Sequence, residues 1–162
     1  MQLGPGVRRI LRVPRDSGNS YVPPPEGGSV EEKEKIREVV SARGLVGAAN
    51  DTKWRILLDR MRAREGWRPS YRFKTVAGVP SPWDVEWFHH LPFPMMSVEW
   101  FDIGLEQHAS VGRLLPPVIT DHSEWILAIL AEARFSFEVR RGIVRIFGYL
   151  PKNYSDFPEE TD

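Results

Sequence analysis

The chain has 162 residues, with 22 Lys+Arg against 22 Asp+Glu, four His and no Cys. That length buries about 70% of the unfolded chain's surface and needs no disulfide staple. The lack of cysteine excludes a disulfide framework, a thiolate zinc site, an iron–sulfur cluster and a Cys nucleophile, and the balanced charge argues against a generic nucleic-acid binder. No apolar run approaches the ~18 residues that span a bilayer, and the basic start MQLGPGVRRILRVPRD lacks the apolar stretch of a signal peptide, so a cytoplasmic home is expected.

Residues 1–28 hold GPG, DSGNS, PPP and GG with few large apolar side chains, which predicts a flexible leader carrying Arg8, Arg9, Arg12 and Arg15. SVEEKEKIREVVSARG follows, with Ser29 as cap, Glu32 as its reciprocal partner and Gly44 as stop, which predicts a helix. A second helix is expected over DTKWRILLDRMRAREG, capped by Asn50 or Asp51, because Trp54, Leu57, Leu58 and Met61 recur at helical spacing. Beyond Pro69 the period shortens to two. YRFKTVA, WDVEWFHH and MMSVEWFDIGLEQ read as three strands joined as a meander. Residues 109–120 read as a loop leading to a third helix, HSEWILAILAEAR, capped by Thr120 or Asp121. FSFEV and IVRIFGYL flank a turn at Gly142 and predict a closing hairpin, and the acidic end, residues 153–162, is expected to fray. The order predicts a single α+β domain over 29–152: a mostly antiparallel sheet of about five strands packed with three helices.

The densest chemistry lies between Thr75 and Gly112, where Asp84, Glu86, Glu99, Asp102 and Glu106 occur with no Lys or Arg and are interleaved with large aromatic rings. Residues 51–74 carry eight Lys+Arg against three carboxylates, so two readings stand. In one, the two zones neutralise each other internally. In the other, Asp84, Glu86, Glu99, Asp102 and Glu106, with Trp87 and Trp100, form an outward acidic-aromatic surface for a basic protein, the aromatics supplying contact area and the acids steering the encounter. Strand alternation makes Asp84 and Glu86 the firmest surface candidates, and sets Glu99 on a face with Phe101 and Ile103.

Glu86, His89, His90 and His108 offer carboxylate and imidazole ligands, so a metal-dependent enzyme is the alternative, although their spacing matches no specific ligand motif. No GxSxG, P-loop or GxGxxG sequence occurs, Asp121-His122-Ser123 reads as a helix cap, and no cofactor is expected.

Asn50-Asp51-Thr52-Lys53-Trp54, Trp83-Asp84-Val85-Glu86-Trp87 with His89 and His90, Ser97-Val98-Glu99-Trp100 and the Ile143–Tyr149 block together resemble a small bacterial family known as a domain of unknown function, over about residues 45–150. The resemblance implies a compact α+β form like that of immunity or antitoxin proteins, and transfers no catalytic residue. The sequence-level expectation is therefore a non-enzymatic bacterial protein that binds and neutralises a cognate toxin, with no direct contact to nucleic acid or membrane.

Overall fold

The computed structural model describes residues 21–160. Ser29 opens α1, Val30–Arg43: its Oγ accepts the Glu32 N–H while the Glu32 carboxylate accepts the Ser29 N–H, and Gly44 closes the helix at φ 66°. The helix buries none of its residues. After the two-residue β1, Val46–Gly47, Asn50 caps α2, Asp51–Ala63, by accepting from the Lys53 N–H. The apolar stripe expected of α2 is the one that is buried: Trp54, Leu57, Leu58 and Met61.

The remaining elements are β2 (Tyr71–Thr75), β3 (Val98–Gly104), β4 (Glu106–Ala109), β5 (Val118–Asp121), α3 (Ser123–Ala133), β6 (Ser136–Arg140), β7 (Ile143–Phe147) and β8 (Tyr149–Leu150). The architecture is α+β with every strand pair antiparallel, as the segregated order of elements predicts. The main sheet runs β2-β3-β7-β6, while β4 with β5 and β1 with β8 form separate two-stranded ribbons. The β6–β7 hairpin turns through Arg141 and Gly142, both at positive φ (49° and 77°), the geometry of a two-residue turn that matches strand twist. Gly148 follows because nothing larger fits: a Cβ there would lie 2.1 Å from the Val98 carbonyl oxygen.

One face of the sheet meets α2 and α3. Tyr71, Phe101, Ile103, Val144 and Ile146 pack there against Trp54, Leu57, Leu58, Met61, Ile126 and Leu130, all at most 1% exposed. Phe101 lies at the centre, with ring centroids 5.3 Å from Tyr71, 5.7 Å from Trp54 and 5.8 Å from Trp87. Each such side chain contributes about 1.5–3 kcal/mol on burial.

The structure differs from the sequence reading in several segments. WDVEWFHH is not a strand. Only Asp84 pairs, in an isolated bridge with Tyr71, because two carboxylates fold the rest into a loop; β2 therefore pairs directly with β3, and β7 lies on the far side of β3, so the sheet is not a meander. Residues 118–121, expected as the end of a loop and the cap of the third helix, pair with β4. The leader expected through residue 28 gives way to packed chain within the described part: Pro25 is buried and its carbonyl accepts the Met95 N–H. Residues 1–20, with the Arg8–Arg15 cluster, lie outside the described residues. Finally, the tail does not fray up to residue 160: Phe157 is buried, and the Asn153 and Ser155 carbonyls accept hydrogen bonds from Arg145. Residues 161 and 162 are outside the described residues.

Candidate functional site

Asp84 and Glu86 build the loop that carries them. Asp84 Oδ1 accepts the Val85 and Glu86 N–H groups at 2.6 and 2.9 Å, and Oδ2 accepts from His90 Nδ1 at 2.9 Å. Glu86 Oε1 accepts three amides in succession, from Phe88, His89 and His90, at 3.2, 2.7 and 2.8 Å. The Glu86 N–H, with His90 and the Val85 N–H, holds the Asp84 carboxyl below its usual range; partial burial raises Glu86, and its three amides outweigh that. About a third of each side chain remains exposed. Trp87 does not. It is 0% exposed, donates from Nε1 to the Pro69 carbonyl at 2.9 Å and meets the Tyr71 ring at a tilt, 4.8 Å between centroids.

Glu99, Trp100 and Asp102 are buried as well. A bulge between Lys74 and Thr75 shifts the pairing, so Val98 joins Phe101 and Ile103 in the core and Glu99 lies with Trp100 and Asp102 on the far side, not with Phe101 as strict alternation predicts. There Glu99 accepts two hydrogen bonds from Arg43 (2.8 and 2.9 Å), one from Lys74 (2.7 Å) and one from Asn153 (3.0 Å). Asp102 takes Arg145 in a two-pronged pair (2.7 and 2.9 Å) and Arg72 Nε at 2.9 Å, while the Arg145 guanidinium lies 3.6 Å over the Trp100 ring. The internal-neutralisation reading is therefore the correct one for Glu99 and Asp102. The cations come from the end of α1, β2 and β7, not from α2. An outward acidic-aromatic surface built on Trp87, Glu99, Trp100 and Asp102 does not exist, because each is sealed inside.

The four candidate metal ligands do not converge either. His89 sits beside Glu86 (3.5 Å), His90 beside Asp84, and His108 beside Glu106 (3.3 Å), so the imidazoles engage three different carboxylates. Among the described residues no group of three or more His, Asp or Glu is placed to hold a metal ion.

What remains is the β4–β5 ribbon, of which the sequence reading took residues 109–120 as a loop. Val111, Leu114, Leu115, Val118 and Ile119 are 51–96% exposed there, the largest such group along the described chain. Glu106, the one acid of the expected set that belongs to it, stands at the root with its side chain 44% exposed. The root is fixed to the body. Trp125 Nε1 donates to His122 Nδ1 at 2.8 Å, which leaves Nε2 to donate to Gln107 Oε1 at 2.8 Å, and the imidazole stacks on Trp67 at 4.1 Å. The signal in the sequence was five large apolar residues between Ser110 and Thr120 with neither helical nor strand period, and a single charge, Arg113.

Residues 36–153 match the model of the Family of unknown function (DUF6678). The chain belongs to that family. The match starts within α1 and runs past β8, so it takes in the whole sheet, both ribbons and the Glu99 and Asp102 networks. Neither a curated protein nor a solved structure matches the chain. Among the described residues no helix is long and apolar enough to cross a membrane.

Proposed function

We propose that the chain is a non-catalytic cytoplasmic protein of the immunity or antitoxin kind, which captures a protein toxin, and that its contact element is the β4–β5 ribbon. One observation supports this most: five large apolar side chains stand in solvent on a single projection, while the carboxylates and imidazoles that an enzyme would use are occupied with one another or with backbone amides. Contiguous exposed apolar groups mark interaction sites, and the buried core of a protein interface is depleted in charge, as the ribbon tip is.

The test replaces Leu114 and Leu115 with Ser and Ile119 with Thr in the full chain. All three are exposed, so stability should change by less than about 0.5 kcal/mol per site. A tagged wild-type chain should retain a partner from its native host that the triple variant retains at least tenfold less. That partner, expressed alone, should arrest growth, and coexpression of the chain should relieve the arrest. Equal retention by the variant sinks the ribbon as contact element; a harmless partner sinks the immunity role.

A further inference from the structure

The ribbon's pairing says how it is held by what it binds. Directly opposed residues of an antiparallel pair share a face, so Glu106, Asp121, His108 and Ile119 lie on one side of the ribbon and Gln107, Thr120, Ala109 and Val118 on the other. Val118 and Ile119 thus point in opposite directions, and both are about half exposed, at 52% and 53%. At the tip Leu114 is 96% exposed and Leu115 61%. A partner with a flat surface would cover one of these faces and leave the other wet. Only a cleft that closes on both sides removes all four side chains from water. An isolated two-stranded hairpin is marginally stable, and among the described residues this one is hydrogen-bonded to the body only at its root, through Leu105, Gln107 and His122.

Charge distinguishes the two ends. Glu106 and Asp121 face each other across the root, where like charges oppose pairing, and the sole cation of residues 106–121 is Arg113 at the tip. Resting on the reading that the ribbon is the contact element, we infer that it enters a protein partner end first: into an apolar cleft that encloses both faces, with Lys or Arg at its mouth opposite Glu106 and Asp121. This is the interaction mode of a plug, and it accounts for a projection whose outer part is apolar but for Arg113 and whose base is acidic. A cationic mouth of this kind also steers association, since a complementary field raises the on-rate and falls with salt.

The experiment places the photo-crosslinking residue p-benzoylphenylalanine at position 118, 119 or 114 of the full chain, one at a time, in the native host, and maps the crosslinked peptides. The cleft predicts that positions 118 and 119 both label the same partner chain. Glu106→Lys, at an exposed site whose one side-chain hydrogen bond among the described residues is to His108, should lower capture of that partner at least tenfold at low salt and flatten its salt dependence, with Glu106→Gln intermediate. Labelling from one of the two faces only overturns the enclosing cleft and leaves the ribbon as a contact element. Labelling from none of the three positions overturns both readings. Labelling of a second copy of this chain, or of lipid, overturns the partner assigned here, and full capture by Glu106→Lys overturns the cationic mouth.

Discussion

Asp102 is wholly buried between two guanidiniums, Arg145 from β7 and Arg72 from β2, and Arg145 is itself 0% exposed. A buried pair of this kind is weak evidence of net stabilisation, because desolvation offsets the attraction; removing one partner, however, leaves the other charge buried alone. Asp102→Asn should therefore cost about 3–5 kcal/mol, read as a shift of the urea midpoint at unchanged slope. The double variant Asp102→Leu with Arg145→Met should be less damaged than Asp102→Asn, and a double variant that is worse would show the pair itself to be strongly stabilising. Glu99 brings pH into the balance. Burial pushes its carboxyl up, but hydrogen bonds from Arg43, Lys74 and Asn153 and the charge of Lys74 outweigh this and hold it down to about 2. A carboxyl lowered on folding stabilises above its unfolded value, near 4.5, and loses that contribution as pH falls toward 2. At neutral pH the effect is about 3 kcal/mol. Wild-type stability should thus decline between about pH 5 and pH 2. Glu99→Gln should be less stable at pH 7 with a flatter acid limb, and an acid limb as steep as wild type would place the titrating group elsewhere.

Among the elements, the ribbon and helix α2 sit at opposite ends of local stability. All residues from His108 to Asp121 are exposed or only at the ribbon's pairing held in place, whereas α2 has four side chains in the core. Openings of a segment so poorly buried cost little, and proteases cut where opening is cheap. Brief trypsin treatment of the full chain should, among the described residues, cut first after Arg113, beside the 96%-exposed Leu114. The two fragments should stay together with native circular dichroism, because β3 and α3 on either side remain packed. A ribbon resistant to trypsin in the purified chain would mean that it is already covered there. The same contrast explains what could be read in advance. The three helices were legible because their signals are local: a capping box at Ser29 and Glu32, an Asn cap at Asn50, apolar spacing of three and four in α2, and a run apolar on most sides after a polar start in α3. The closing hairpin was legible from the turn at Gly142. Residues 83–90 misled because alternating aromatics and acids satisfy the strand pattern, while the carboxylates of Asp84 and Glu86 offer the backbone a competing set of hydrogen bonds. The site misled for a different reason: no local rule reveals that Arg43 and Arg145, 56 and 43 residues away, reach Glu99 and Asp102.

At the scale of the whole molecule, the sheet is covered on both faces, and the two covers differ in kind. Helices α2 and α3 close one side with apolar side chains. The other side carries Arg72, Lys74, Glu99, Trp100, Asp102, Arg145 and Phe147, and the chain beyond β8 lies over it. The Asn153 and Ser155 carbonyls accept from Arg145 at 3.0 and 2.7 Å, the Asp156 carbonyl accepts from Arg72, and Asn153 donates to Glu99. Tyr154 meets Phe147 edge-on at 5.6 Å, and Phe157 lies under the Arg145 guanidinium at 4.7 Å. Backbone carbonyls of residues 153–156 accept from two of the cations on this face, Arg145 and Arg72, so the segment does more than cover apolar rings. A chain ending at Leu150 should lose those acceptors and expose Trp100 and Phe147 together. Returning those two rings to water costs about 1.5–3 kcal/mol each, and with the lost hydrogen bonds that is a large part of a domain's 5–15 kcal/mol of stability. The truncated chain should melt at least 10 °C lower or lose its near-UV circular dichroism while helical far-UV signal persists. An unchanged melting temperature would show that the second face is held by Arg43, Lys74 and the Asp102 pair without the terminal segment.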